Sequence, residues 1–301
     1  MMGSPKVGVV IVNWNRKEDV LRCISSVLLS DYDHYQILVV DNASSDGSIE
    51  AIEESYPEVV ILKAEKNLGF TGGNNLGIHW ALDRQFEWVL LLNNDVIIAP
   101  DAIRLMVEAI QQDPTIGIAG PIVYHAKQPK IIQSAGGSID KYWNTAHRGQ
   151  NQPDQGQYSQ VADVQWVTGC ALMARLEMVR RIGLLDERFF AYSEEVDWCL
   201  RAHRDGWKIQ CVPWAHVWHA GVSTDYNPEP YITYYTVRNH LLLLAKHHSS
   251  VWVRIYYYFR TFSTLISWTI RPRWRSISKH RNAMWRGVVD YHQQRWGPIS
   301  S

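Results

Sequence analysis

Within the first hundred residues, short unbroken apolar runs alternate with longer amphipathic stretches, and this rhythm sharply limits the folds open to the chain. The runs are "VGVVIVN" (7–13), "QILVVD" (36–41), "EVVILKA" (58–64) and "WVLLLNND" (88–95). Strands that are apolar throughout, with no in-and-out alternation, belong to parallel sheets covered on both faces. Helix-like segments around 17–29, 46–54 and 73–84 separate them, and another opens at "APDAIRLMVEAI" with Pro100 near its first turn. The order βαβαβαβ requires right-handed crossovers. The expected class is therefore α/β, with a mostly parallel central sheet flanked by helices.

The remainder divides by composition. Residues 124–160 are polar and weakly periodic, which predicts a long loop or a weak hairpin beside a site. A second ordered block runs from about 163 to 245, and from 246 the chain is aromatic, basic and helical in pattern. We expect one domain over 1–245, in halves 1–120 and 121–245, followed by a tail over 246–301. Net charge is zero overall, yet the tail holds ten Lys/Arg against the single Asp290. Five tryptophans, Trp252, Trp268, Trp274, Trp285 and Trp296, are interleaved with that charge. Such a segment suits an anionic membrane surface or a solvated face packed on the domain; with no recognised binding module, nucleic acid is not an expected partner.

Three strand candidates end in polar residues: Asn13, Asp41, and the trio Asn93, Asn94 and Asp95 within "LLLNNDVII". A desolvated carboxylate is costly unless it is paired or bound to a metal. In open parallel sheets, ligands bind outside the carboxyl ends of the strands. One strand-ending Asp is an ordinary turn or cap residue, but three such ends predict a shared site. No GxGxxG follows the first strand, where "NWNRKED" stands, so a dinucleotide-binding fingerprint is absent. "KNLGFTGGNNLG" (66–77) reads as a glycine-rich loop entering a helix, suited to close approach by an anion. In "FFAYSEEVDWCLR" (189–201), Glu194, Glu195 and Asp197 open a helix with Ser193 as its expected N-cap. Acidic residues there complement the helix dipole, and they also offer a general base shielded by aromatics. "HVWHAGVST" (216–224) adds His216 and His219, and Asp95 with His219 would suit a divalent ion that keeps open positions for phosphate oxygens.

These pieces, in this order, resemble the family 2 glycosyltransferases, in particular the bacterial rhamnosyltransferase-like branch. The matching segments are "VIVNWN" (10–15), "VVDNASSDGS" (39–48), "NLGFTGGNNLG" (67–77), "LLLNNDV" (90–96), "WVTGCALMAR" (166–175), "GLLDERFFAYSEEVDWCLR" (183–201), "HVWHAGVS" (216–223) and "YYTVRNHLLLL" (234–244). The resemblance implies a GT-A fold and an inverting, metal-dependent transfer from a UDP- or dTDP-linked sugar to a glycan or lipid-linked hydroxyl in cell-surface polysaccharide synthesis. It places Asn13, Asn15, Asp41, Asn67, Gly69, Asn74, Asn93, Asn94 and Asp95 in donor-binding segments. Asp95 and His219 then hold Mg²⁺ or Mn²⁺, and Trp166, Gly169, Arg238 and Asn239 fall on the acceptor side. Glu195 stands where the family has its catalytic aspartate, a departure of one methylene, and Glu194 and Asp197 remain alternates. A sugar nucleotidyltransferase and a non-catalytic binding protein of the same fold are the competing readings.

The four cysteines lack metal-ligand spacing and are expected to be reduced and buried. "MMGSPKVGVV" lacks the apolar core of a signal peptide, and no stretch of eighteen uncharged apolar residues occurs. The expected location is the cytoplasm, peripheral on the inner membrane.

Overall fold

The computed structural model describes residues 5–221 and 229–299. The first half alternates as expected: β1 (Val7–Asn13), α1 (Lys17–Leu28), β2 (Tyr35–Asp41), α2 (Ser48–Ser55), β3 (Val60–Lys63), α3 (Gly69–Asp83), β4 (Trp88–Asn93), the short β5 (Val96–Ile98) and α4 (Ala102–Gln112). There follow β6 (Ile116–His125), β7 (Gln128–Ser134), β8 (Gly137–Ile139), β9 (Thr145–His147), β10 (Ala162–Asp163), β11 (Ala171–Arg175), α5 (Leu176–Ile182), α6 (Glu194–Arg204) and β12 (Lys208–His219). Three helices complete the chain: α7 (Pro230–Lys246), α8 (Val251–Ile270) and α9 (Ser278–His292), with a 3-10 turn over Pro272–Ile277 between the last two.

Among the described residues the main sheet has the order β10-β12-β6-β11-β4-β1-β2-β3. The pairs β3-β2, β2-β1 and β1-β4 are parallel, as the apolar runs predict. The second half is mixed. β11 is antiparallel to both β4 and β6, β12 is parallel to β6, and β5 and β10 pair antiparallel with β12. The sheet is thus parallel in its first half and mixed beyond it, where β12–β6 is a further parallel pair. β6 runs through the 120/121 boundary as a buried strand. Segment 124–160 contains a weak hairpin, β8-β9, and contributes β7 to the main sheet.

Two apolar layers cover the sheet. Val7, Val9, Ile11, Leu90 and Leu92 face one way with α1 and α4, and Val10, Leu38, Val40 and Leu91 face the other with α3 and α6. Burial at these positions is essentially complete, and each such side chain is worth about 1.5–3 kcal/mol. The glycine-rich segment belongs to this packing. Only Gly69 has a positive φ (73°), and it starts α3; Gly72, Gly73 and Gly77 lie inside the helix. A Cβ on Gly73 would stand 2.7 Å from Val12 Cγ1, and one on Gly77 would run into Val10. The expected phosphate-cradling loop is instead a bare helix face that lets α3 lie close against β1.

All four cysteines are buried and free. The tail extends the body, with α9 packed across α7 through Val237, Leu241, Leu244 and Val288.

Candidate active site

The polar strand ends meet along one rim. Asn13, at the end of β1, donates from Nδ2 to Asp41 Oδ1 at the end of β2 (3.2 Å), and its Oδ1 accepts from Asn94 Nδ2 just beyond β4 (2.8 Å). Parallel pairing of β2, β1 and β4 puts these ends side by side. Next in line is Asp95. The chain turns there into β5, whose antiparallel pairing sets Val96 opposite His219 on β12. His219 Nε2 consequently lies 3.1 Å from Asp95 Oδ1 and 3.5 Å from Asn93 Nδ2.

Asp95 is mostly buried, and its Oδ1 has no hydrogen-bond donor in line despite the nearby ring. Burial alone would raise this carboxyl, but His219 and the more distant Arg16 outweigh it and hold the group below the ordinary carboxylate range. Gly221 lies directly over the pair: a Cβ there would stand 2.5 Å from Asp95 Oδ2 and 3.2 Å from His219 Nε2. On the far side of the ring, Nδ1 is 3.1 Å from the Gln133 amide on β7. A carboxylate oxygen short of donors beside an imidazole nitrogen, whose other nitrogen is held by an amide, fits a divalent cation. No group of three potential ligands occurs among the described residues, so a bound ion would draw its remaining ligands from diphosphate and water. Val222 and Ser223 of the quoted "HVWHAGVS", with Thr224, lie outside the described residues.

Other donor-side residues brace the rim. Asp41 is buried and takes its second bond from the Ser44 amide (2.8 Å), closing a turn. Asn15 Oδ1 accepts from the Ser45 amide (2.7 Å), and Asp46 accepts from the Lys17 amide (2.9 Å), so the 41–46 turn is tied to the end of β1. Asn67 Oδ1 receives the Gly69 amide (2.8 Å) at the start of α3. Asn42 Nδ2 donates to the Gly69 carbonyl (2.9 Å). Asn74 donates to Phe70 O one turn back, leaving its buried Oδ1 without a partner.

Glu194 and Glu195 open α6 after an unusual approach. Phe190, Tyr192 and Ser193 all have positive φ (64°, 72° and 74°), a conformation costing about 1–3 kcal/mol each for such residues. The surroundings hold it in place. Asn239 Nδ2 lies within hydrogen-bond distance of the carbonyls of Phe189 (3.0 Å), Ala191 (2.7 Å) and Tyr192 (2.7 Å). Arg238 reaches the carbonyls of Arg188, Phe189 and Gly297, and the Thr71 amide donates to Phe190 O (3.0 Å). Ser193, in the left-handed conformation, makes no side-chain cap bond, contrary to expectation. Arg238 and Asn239 are both fully buried, and their hydrogen bonds secure the approach to α6. Trp166 is likewise buried, with the β8-β9 hairpin over it and its Nε1 donating to Ser138 O (3.3 Å). Gly169 does stand at the site, where a Cβ would lie 3.1 Å from the Phe70 ring and 3.6 Å from Glu195 Cβ.

The three carboxylates on α6 differ in environment. Asp197 is fully buried and contacts His247 (2.8 Å), Arg201 (2.9 Å) and Lys246 (2.9 Å). Burial raises its carboxyl, but the hydrogen bond to His247 and the charges of Arg201 and Lys246 prevail and keep it low. With both oxygens engaged it is a structural anchor, which removes it as an alternate base. Burial pushes Glu194 well above the ordinary range, reinforced by Glu195 and Asp197, and burial likewise raises Glu195. Oε2 of each lacks a hydrogen-bond partner. Between this pair and the rim sits Cys170, whose thiol is pushed up to about 12 by burial first, with the charges of Asp95 and Glu195 adding to it. Its carbonyl accepts from the Asn93 amide (2.9 Å). The Gly169–Cys170 segment thus runs between Glu195 and the end of β4.

Sequence reasoning missed Gln133 and Gly221. Gln133 lies in a stretch read as loop, although "IIQS" carries the apolar positions of a strand. Gly221 stood within the quoted "HVWHAGVST" with no role assigned.

The chain is 28% identical over 273 residues to the N-acetylglucosaminyl-diphospho-decaprenol L-rhamnosyltransferase of Mycobacterium tuberculosis, covering 81% of this chain and 85% of that one. It is 23% identical to the dTDP-rhamnosyl transferase RfbF of Shigella flexneri, covering 95% of this chain and 96% of that one. Among solved structures it is similar to the mannosyltransferase PcManGT from Pyrobaculum calidifontis in complex with GDP-Man and Mn²⁺ (TM-score 0.62, 13% identity, 98% of this chain and 89% of that one). A second is GalNAc-T7 with UDP, GalNAc and Mn²⁺ (TM-score 0.67, 16% identity, 98% of this chain and 57% of that one). These likenesses bear on the fold, which is GT-A. The family model described as glycosyl transferase family 2 matches residues 8–171, more than half of the chain, and the chain belongs to that family of glycosyltransferases.

Proposed function

We propose that the chain transfers a hexosyl unit, rhamnose above all, from a nucleoside-diphosphate sugar to a hydroxyl of a lipid-linked glycan, with inversion, in cell-surface polysaccharide synthesis. One observation carries this reading: the series Asp41–Asn13–Asn94 ends beside the Asp95–His219 pair, and the Gly169–Cys170 segment joins that rim to Glu195. The rhamnosyl donor and lipid-linked acceptor are favoured by the names of the two bacterial relatives, and use of Mn²⁺ or Mg²⁺ by the two structural neighbours that carry Mn²⁺.

In this mechanism Asp95 and His219 Nε2 would hold the cation, with Nδ1–H of His219 donated to Gln133 Oε1 so that Nε2 is left free for it. When bound, the ion supplies charge neutralisation for the departing diphosphate. Asn93 and Asn94, the latter held by buried Asn13 behind it, would present amides at the same rim to ribose and phosphate oxygens. Glu195 takes the proton of the acceptor hydroxyl as that oxygen forms its bond to the anomeric carbon. The anomeric carbon–oxygen bond to the diphosphate breaks on the opposite side, the electron pair leaving with the nucleoside diphosphate. A raised carboxyl is the better base here, since it binds a proton more tightly. Glu194 is more deeply buried, and burial raises its carboxyl well above the ordinary range.

The test is donor binding followed by thermal shift. Stabilisation by dTDP or UDP should require Mn²⁺ or Mg²⁺ and vanish with EDTA, and Asp95→Asn should abolish it while leaving the circular dichroism spectrum unchanged. Metal-independent binding, or an unaffected Asp95→Asn variant, rejects the assignment. Release of pyrophosphate from a nucleoside triphosphate and a sugar phosphate would point instead to nucleotidyl transfer.

A further inference from the structure

The tail carries an apolar surface that the catalytic site does not use. Helix α8 buries Val253, Tyr257, Thr261 and Leu265 against α7 and α9. At about 100° per residue, these positions form one stripe. On the opposite side Trp252, Ile255, Phe259, Phe262, Ile266 and Ile270 form a second stripe along the whole 20-residue helix. These residues face solvent: Trp252 is 79% exposed, Phe259 72% and Ile270 69%. A helix that is apolar on both sides is normally buried on both.

The surroundings say what covers the outer side. The helix runs directly into "RPRWRSISKHR" (271–281), which has five Lys/Arg and no acid. Arg271, Arg273 and Lys279 have no acidic partner among the described residues. Between α8 and α9 lies a groove of about 350 Å³ lined by Phe262, Leu265, Ile266, Ile270 and Trp285, with Arg281 at its edge. Exposed Trp252 and Trp285 are suited to the boundary between headgroups and acyl chains. A protein partner of this surface would have to answer five basic residues in one place, whereas an anionic leaflet does so by composition. Arg254 and Arg260 interrupt the helix, and among the described residues no helix is long and apolar enough to cross a membrane. A segment of this kind lies in the interface plane.

We infer that the outer face of α8, with the basic stretch 271–281, docks the enzyme on an anionic bilayer surface. The inference rests on the lipid-linked acceptor proposed above only for its purpose. A physical link joins the two: Tyr142 stacks on Tyr256 at 4.6 Å and Arg260 donates to Asn144 Oδ1 at 2.7 Å, so α8 holds the hairpin that covers Trp166. Docking α8 sets that hairpin, and the segment leading to Gly169 and Glu195, close to the headgroups.

The test is co-sedimentation of the full chain with vesicles of phosphatidylcholine alone or mixed with phosphatidylglycerol, at low and high salt. The expected result is binding to the anionic vesicles, weakened by salt, with little binding to neutral ones. Phe259→Asp with Ile266→Asp should lower partitioning by roughly tenfold or more, and Arg271→Glu with Arg273→Glu should remove the dependence on phosphatidylglycerol. Light scattering on the same samples reports oligomeric state, and a metal-dependent thermal shift with dTDP or UDP reports the donor site. Equal partitioning of parent and variants overturns the inference. So does a parent dimer that Phe259→Asp dissolves without any vesicle binding, since the face would then be a contact between copies. Loss of vesicle binding with the donor shift intact leaves the catalytic reading standing, and loss of the donor shift in the parent defeats that reading alone.

Discussion

Asn239 offers a sharp test of how the base is positioned. Its amide donates two protons among three carbonyls on the approach to α6, one buried and two partly so, and its Oδ1 accepts from Arg238 Nε at 3.0 Å. Replacement by alanine removes all of these together. Two neutral hydrogen bonds contribute about 0.5–1.5 kcal/mol each, and one to a charged group about 1.5–3. The groups left behind are buried wholly or in part, so Asn239→Ala should lose about 3–5 kcal/mol, a large share of the 5–15 typical of a domain. The second consequence is catalytic. Phe190, Tyr192 and Ser193 keep their positive φ because these bonds oppose relaxation, and release would carry the first turn of α6 with it. A displacement near 1 Å costs about 10²-fold in rate. Urea unfolding followed by circular dichroism gives the first quantity, and kcat with saturating donor gives the second. Donor affinity should change little, because Asp95 and His219 lie on other elements. A stability loss under roughly 1 kcal/mol, or an unchanged kcat in a variant that is destabilised as expected, refutes the account.

Other outcomes follow from the same geometry. Glu195→Gln should retain metal-dependent donor binding and lose turnover by about 10²–10⁴-fold. Its parent's kcat should fall on acidification along a limb above the ordinary carboxylate range, because burial raises the Glu195 pKa and the base works only when deprotonated. Glu194→Gln should raise stability at neutral pH. An acid whose folded pKa is raised binds its proton more tightly in the native state, so it favours folding least where the unfolded chain is ionised. Urea midpoints of parent and variant should therefore converge as the pH drops below the ordinary carboxylate range. Gly77→Ala should destabilise the fold by about 1–3 kcal/mol through overpacking against Val10; intact stability with lost donor affinity would restore the loop reading of that segment.

The outline of the first half was legible because parallel strands advertise themselves. A run such as "VGVVIV" is apolar on both faces, and helix-length spacers leave little choice of connection. The second half was not legible, for a physical reason. "ALMAR" shows that β11 is buried, but nothing local says that it inserts between β4 and β6, since that choice is made by contacts across fifty or more residues. Glycine was ambiguous in the same way. A bare residue serves either a positive φ or a close approach, and the letters do not distinguish Gly69, which needs the first, from Gly73 and Gly77, which need the second.

The site divides along the same line. Asp41, Asn13, Asn94 and Asp95 could be grouped from the sequence because strand ends in a parallel sheet share an edge by construction. Ranking the carboxylates on α6 could not be done that way. Glu194, Glu195 and Asp197 lie within one turn, and their spacing only says that Glu195 points about 100° away from Glu194. What separates them is the end of α7, where Lys246 and His247 reach Asp197 from some fifty residues away and join Arg201 in neutralising it. Glu194 and Glu195 have no such partners among the described residues, so the same helix holds one carboxyl lowered in a closed network and two raised by burial. The residues of α7 nearest this network therefore support the start of α6 from behind. Lys246 at the end of α7 holds Asp197 and Asn239 holds the carbonyls before α6, so this helix sets the electrostatic contrast between Asp197 and Glu195.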